Sequence, residues 1–131
     1  MTKLYNYSLD THALVWYFLK QKTLSSKAEE MIGKIFGNEA TGIVSVMVIL
    51  EAYYVSLRLK KFDFSKFLNV LENSNIKIVP FDKKVLAKSL ILPTGIDIHD
   101  RIIVATAVLM NTPLITKDRI LRSTFPLETI W

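Results

Sequence analysis

The chain has no cysteine, which excludes a disulfide framework, a thiolate metal site and a cysteine nucleophile. The same lack fits a reducing cytoplasm, the compartment we expect. Glycine and proline number four each in 131 residues, too few for a fibrous or low-complexity chain. Long apolar runs are missing too. The longest late run, Ile102 to Met110, is broken by Thr106 and falls far short of the roughly 20 residues that span a bilayer. Met1 to Leu9 has no extended apolar stretch behind Lys3, so neither a signal peptide nor a membrane segment is expected. No P-loop, G-x-G-x-x-G, G-x-S-x-G or H-E-x-x-H pattern occurs, which removes the common phosphate-loop, dinucleotide, serine-hydrolase and zinc-protease readings. Acidic residues are the minority, 12 against 17 Lys plus Arg, for a net charge of +5. That balance favours polyanionic partners such as nucleic acid.

What is present is a core. Half of the residues are hydrophobic, and the length corresponds to one domain, residues 1–131. Short apolar strands alternate with amphipathic helices, the pattern of an α/β domain with a mainly parallel sheet. The strands are expected over Lys3 to Leu9, Thr41 to Ser45, Ile76 to Val79, Pro113 to Thr116 and Leu127 to Ile130. Helices are expected over Ala13 to Leu19, then behind a capping box at Ser26-Lys27-Ala28-Glu29 with Gly37 as its stop, then over Val46 to Leu59. Further helices are expected from Phe64 to Leu71 behind Asp63, from Asp82 to Leu90, and from Asp100 to Met110. Pro93-Thr94-Gly95 reads as a turn. The Asp100 helix is apolar enough to require burial on several sides.

The acids carry the chemical signal. Asp10 and Asp118 follow the ends of two strands, where open α/β sheets bind ligands. Asp100 opens the most apolar helix, and Glu51 lies among Leu50, Ala52, Tyr53 and Tyr54. Asp10 and Asp100 each also suit a helix N-cap, and Asp118 suits a turn or the cap of a short helix from Arg119 to Arg122. Glu51 has the weakest structural explanation, because a carboxylate on an apolar helix costs several kcal/mol unless paired or metal-bound. Neither Arg58 nor Lys60 stands three or four residues from it, which leaves a distant partner such as Arg101. Acids gathered together repel; a hard divalent cation offsets that repulsion, and Mg²⁺ or Mn²⁺ suits an all-carboxylate set completed by water and phosphate. His12 and His99 read better as packing or supporting residues than as zinc ligands. Trp16, Tyr17, Tyr53 and Tyr54 read better as core or contact residues than as base-stacking ones.

At these residues the chain resembles the PIN-domain ribonucleases, in particular VapC-like toxins of toxin–antitoxin pairs. The resemblance rests on Leu9-Asp10-Thr11-His12-Ala13-Leu14-Val15-Trp16, on Leu24-Ser25, and on Val44-Ser45 leading to Glu51. It continues through Ile76 to Pro80, Asp97-Ile98-His99-Asp100-Arg101-Ile102-Ile103-Val104-Ala105-Thr106-Ala107, Leu114-Ile115-Thr116-Lys117-Asp118 and the terminal Thr129-Ile130-Trp131. It implies a three-layer α/β/α fold around a parallel sheet, and RNA cleavage dependent on Mg²⁺ or Mn²⁺. The metal would be held by Asp10, Glu51, Asp100 and Asp118. Thr116 matches a hydroxyl position within that site, with Thr11 and Asp97 as further supports. A homodimer and a cognate antitoxin that occludes the site are also implied. Two stretches depart from the commonest toxin pattern: Asp97-Ile98-His99-Asp100-Arg101 stands in place of Asp-Pro-Phe-Asp-Arg, and Leu59-Lys60-Lys61-Phe62 in place of a Gly-Lys-Leu turn. Neither removes an acid. Arg101, Lys117, Arg119 and Arg122 are the candidate phosphate contacts. The competing readings are a housekeeping RNA-processing nuclease of the same fold and a non-catalytic binding module. A receiver-like phosphoacceptor domain is disfavoured, because Asp10 has no acidic neighbour.

Overall fold

The computed structural model describes residues 5–124 and 126–131. Five parallel strands form one sheet: β1 (Tyr7–Leu9), β2 (Gly42–Ser45), β3 (Ile76–Val79), β4 (Leu114–Ile115) and β5 (Thr129–Ile130), in the order β3-β2-β1-β4-β5. Among the described residues seven helices connect them: α1 (Thr11–Leu19), α2 (Ser26–Phe36), α3 (Val46–Arg58), α4 (Phe64–Glu72), α5 (Lys83–Leu90), α6 (Ile98–Leu109) and α7 (Arg119–Arg122). The chain thus has the expected three-layer α/β/α architecture. The chain runs outward through β1, β2 and β3 with α1 to α4 as connections and then returns past β1 to β4 through α5 and α6, a reversal that puts helices on both faces when crossovers have their usual right hand.

β1 is central. Ser8 pairs in register with Ile43 of β2 on one side and with Leu114 of β4 on the other. Connections leave β1 and β4 in opposite directions, so the carboxyl ends of these strands flank the crevice where such sheets bind ligands. The strands are short and apolar, and β2 is buried along its whole length. As its composition requires, α6 buries six consecutive residues, Ile102 to Ala107. The largest wholly buried side chain is Phe67, on α4. No helix among the described residues is long and apolar enough to cross a membrane.

Several expected boundaries move for local reasons. The cap of α2 is Ser25, whose hydroxyl accepts from the Ala28 N–H at 3.1 Å; the adjacent Ser26 is the first helical residue. Asp100 is not an N-cap. Asp97 takes that place, accepting the His99 N–H at 2.7 Å, so α6 starts earlier and Asp100 lies in its first turn. Gly37 ends α2, yet the left-handed conformation falls to Asn38, at φ 61°. Gly95, at φ 91°, supports the predicted turn. Lys3 and Leu4 of the expected first strand lie outside the described residues.

Candidate active site

The element ends deliver the acids to one place. Asp10 caps α1 directly after β1, Asp118 caps α7 just beyond β4, Asp100 enters from α6, and Glu51 projects from α3 behind β2. All four line a cleft of about 560 Å³. Thr11, His12, Trp16, Asp97, His99, Lys117 and Arg119 complete its walls.

Two threonines tie the acids together. The Thr11 N–H donates to Asp10 Oδ1 at 2.8 Å, and its hydroxyl donates to Glu51 Oε1 at 2.6 Å. The Thr116 hydroxyl donates to Asp10 Oδ2 at 2.6 Å and accepts the Asp118 N–H at 3.0 Å. Asp10 is therefore the hub: each oxygen has a donor, and each donor residue also holds a second acid. Asp118 Oδ1 in turn accepts the Ile120 and Leu121 N–H groups at 2.8 and 3.2 Å. Thr116 is fully buried and Asp10 is only 8% exposed, so the two bonds to Asp10 are dry and set its geometry.

The electrostatics follow from burial and crowding. Burial raises the Asp10 carboxyl above the usual range, against the bonds from Thr116 and Thr11 and the nearby His12, which pull it down. Asp100 is pushed up to about 6, first by burial, then by the negative charges of Asp10, Asp118, Asp97 and Glu51. That sensitivity places all these acids in one electrostatic cluster. Among the described residues, the ion pairs include none from Lys or Arg to any of the four; the His99 imidazole stands beside Glu51, its Nδ1 4.0 Å from Oε2 and 3.8 Å from Asp97 Oδ1. Nor do three or more His, Asp or Glu side chains among the described residues close on a ready-made metal shell. The acids face a shared space without yet converging on a point. The four carboxylates form an oxygen-only donor set without a Lys or Arg partner among the described residues, which fits a hard divalent ion.

A family model for the PIN domain matches residues 7–124. The chain belongs to the PIN-domain family. Similar solved structures include a chain of the toxin–antitoxin complex from Klebsiella pneumoniae, 17% identical with a TM-score of 0.72, over 96% of this chain and 97% of that one. VapBC2 from Rickettsia felis, bound to a DNA fragment from its promoter, is 21% identical with a TM-score of 0.71, over 95% and 96%. FitAcB from Neisseria gonorrhoeae is 19% identical with a TM-score of 0.70, also over 95% and 96%. At these identities the likeness concerns the fold. Comparison with curated protein sequences gives no match.

Within this PIN domain the basic candidates separate. Lys117 and Arg119 line the cleft; Arg122 does not. Arg101 is a correction: its guanidinium donates to the carbonyls of Ser89, Leu92 and Pro93 at 2.6, 3.3 and 2.5 Å. It fastens the end of α5 to α6 instead of facing a phosphate, and it is not the partner of Glu51. Asp97 is first of all a helix cap. His12, His99 and Trp16, read from the sequence as packing or supporting residues, all reach the cleft. Arg58 lines the adjoining groove with Glu51 and His99, a position its seven-residue separation from Glu51 hints at, being two helical turns along one face.

Proposed function

We propose that this PIN domain is an endoribonuclease that hydrolyses RNA phosphodiester bonds with Mg²⁺ or Mn²⁺, and that it is the toxin of a toxin–antitoxin pair. The observation that carries the proposal is the crowding of Asp10, Glu51, Asp100 and Asp118 around one cleft without a Lys or Arg partner among the described residues, at a cost visible in the raised Asp100 pKa of about 6. These four residues would hold the metal. When bound, a divalent ion lowers the pKa of a water molecule and neutralises charge developing on the phosphate. The chain's own residues do the rest. Thr11 and Thr116 hold the carboxylates in orientation, so little reorganisation is needed when the charges are brought together. Lys117 and Arg119 stand at the rim, where they draw the phosphate backbone in. Attack by water on phosphorus with departure of the ribose 3′ oxygen leaves a 3′-hydroxyl and a 5′-phosphate.

The partner reading has separate support. One face of α3 leaves Val46, Leu50, Tyr53, Tyr54 and Leu57 between 37% and 61% exposed. An apolar stripe of this kind marks a protein contact, and the similar structures are of toxin–antitoxin complexes. An antitoxin and a second copy of the chain are the proposed occupants, and the cytoplasm is the proposed compartment. The test is cleavage of mixed RNA in Mg²⁺ or Mn²⁺, beside EDTA and Asp100→Asn. Metal-dependent cutting abolished by the substitution is the expected result. Cutting that persists in EDTA, or in the variant, overturns the assignment.

A further inference from the structure

We propose that His12 and Trp16 form a nucleobase-binding shelf that stacks one unpaired base of the RNA beside the acidic cleft. The inference rests on the ribonuclease reading for its substrate but on different residues. His12 and Trp16 stand four apart on α1, hence on one side of the helix. Their ring centroids are 5.5 Å apart with planes tilted by 39°. Trp131 packs on the indole edge-to-face, 6.1 Å away at 65°. Both rings line the acidic cleft and also the adjoining groove of about 330 Å³ that runs to Arg58. A strand leaving the acids toward that groove has to pass over them.

Their exposure argues against a purely packing role. Wholly buried aromatics in this chain look like Phe67, whereas His12 is exposed and Trp16 only partly covered. Lys117, Arg119 and Arg58 border the shelf and suit a polyanion, while Val15, Leu19, Val55 and Leu59 give the groove beside it an apolar lining against which a base or ribose can pack. Lys117 Nζ lies 5.8 Å from the Trp16 ring centroid, and Arg119 and Arg58 stand on either side. The Lys117 ammonium on its flexible stem is a replaceable cover. A base that displaces it keeps the π-face occupied and moves the ammonium toward the neighbouring phosphate. Stacking of this sort accepts any base, so the shelf selects for an unpaired nucleotide and not for a sequence. A base inside a duplex is already stacked and cannot use it.

The test uses single-stranded RNA oligonucleotides with one abasic position walked along the cleavage region, assayed in Mn²⁺ with the wild type, His12→Ala, Trp16→Phe and Trp16→Ala. At one position the missing base should lower wild-type kcat/KM by roughly 5- to 150-fold. Trp16→Ala should lose a similar factor on intact RNA and become insensitive to the abasic site, while Trp16→Phe retains most of the rate. In a second arm in EDTA, a short uncut oligonucleotide should quench the tryptophan emission of the wild type but not that of Trp16→Phe, in which Trp131 remains. If His12→Ala and Trp16→Ala cleave intact and abasic RNA at wild-type rates, or if Trp16→Phe is quenched as the wild type is, the shelf is overturned while metal-dependent cleavage leaves the nuclease reading intact. A shelf that receives a protein side chain instead gives that same overturning result. Quenching lost in Trp16→Phe, from a protein that cuts no RNA, refutes the nuclease reading and sustains the base-binding shelf.

Discussion

Replacing Asp100 with the isosteric, neutral asparagine should stabilise the metal-free protein, and only above a definite pH. The folded carboxyl keeps its proton to about pH 6, whereas the ordinary value is 3.8. Between those values the folded state binds more protons than the unfolded chain, so stability falls as pH rises from about 4 to about 6 and stays low above. At about 1.36 kcal/mol per pH unit the gap corresponds to roughly 3 kcal/mol. Asp100 is only partly buried, and water screens much of the repulsion, so the gain from Asp100→Asn should be about 1–2 kcal/mol. In a chain of this length that is a rise in Tm of about 3–8 °C. The assay is thermal unfolding in EDTA across pH 4 to 8. The gain should shrink toward zero near pH 4 and reach a plateau above pH 7. An unchanged Tm at pH 7.5, or a gain of equal size at every pH, refutes the electrostatic account of the cluster. Asp10→Asn is the informative control. Its carboxyl is raised for the same reason, but both of its oxygens accept hydrogen bonds. An amide offers only one acceptor and turns an NH₂ toward a donor, so this variant should lose stability despite removing a buried charge.

The same geometry predicts four further outcomes. Thr116→Val removes a fully buried hydroxyl that bridges Asp10 and Asp118, and should cost about 1–3 kcal/mol in chemical denaturation and about 10- to 100-fold in cleavage rate, with Thr116→Ser restoring most of both. Arg101→Ala removes the donor shared by the Ser89, Leu92 and Pro93 carbonyls between α5 and α6, and should cost about 1–2 kcal/mol while leaving the salt dependence of RNA binding unchanged. Arg119→Ala should do the reverse, flattening the log–log slope of binding against salt by about 0.7–1 with little change in Tm. Saturating Mn²⁺ at about 100 times its Kd should stabilise the wild type by about 2.7 kcal/mol, and Glu51→Gln should lose most of that gain in the same thermal scan.

The fold was legible because its signals are local and agree with one another. Asp82 and Asp63 stand in front of helical patterns and cap those helices in the structure, and α6 is too apolar to lie anywhere but in the middle. Where two equivalent residues competed, the sequence was silent. Ser25 and Ser26 are adjacent serines, and Asp97 and Asp100 are acids one turn apart; only the path of the incoming chain decides which one caps. The gathering of Asp10, Glu51, Asp100 and Asp118, with Thr116 and Thr11 beside them, could be anticipated from strand ends and resemblance, but not which acids each threonine joins. Thr11 bonds across 40 residues and Thr116 across 106, and nothing in a threonine's neighbours announces such a partner. Arg101 was misread because its partners are backbone carbonyls, which leave no mark in the sequence.

The placement of the acids also explains how the chain tolerates them before any cation arrives. Asp10 caps α1, Asp118 caps α7, and Asp100 lies in the first turn of α6. Three of the four thus sit at helix N-termini, where unpaired N–H groups and the helix dipole offset negative charge. The effect is small for the single turn of α7, but there two N–H groups bond the carboxylate directly. Glu51, inside α3, has no such help, and it is the acid that lies beside both the Thr11 hydroxyl and His99. These supports are neutral or partial charges. A lysine or arginine in their place would satisfy the acids fully and leave nothing for a cation to gain. Partial compensation holds the cluster together at a cost of a few kcal/mol or less, and leaves the remaining repulsion as driving force for the proposed metal binding. Placing a lysine within ion-pair reach, as in Thr11→Lys, should therefore weaken Mn²⁺ binding beyond what Thr11→Val does, and a lysine variant that binds Mn²⁺ as tightly as the valine one would refute this division of labour.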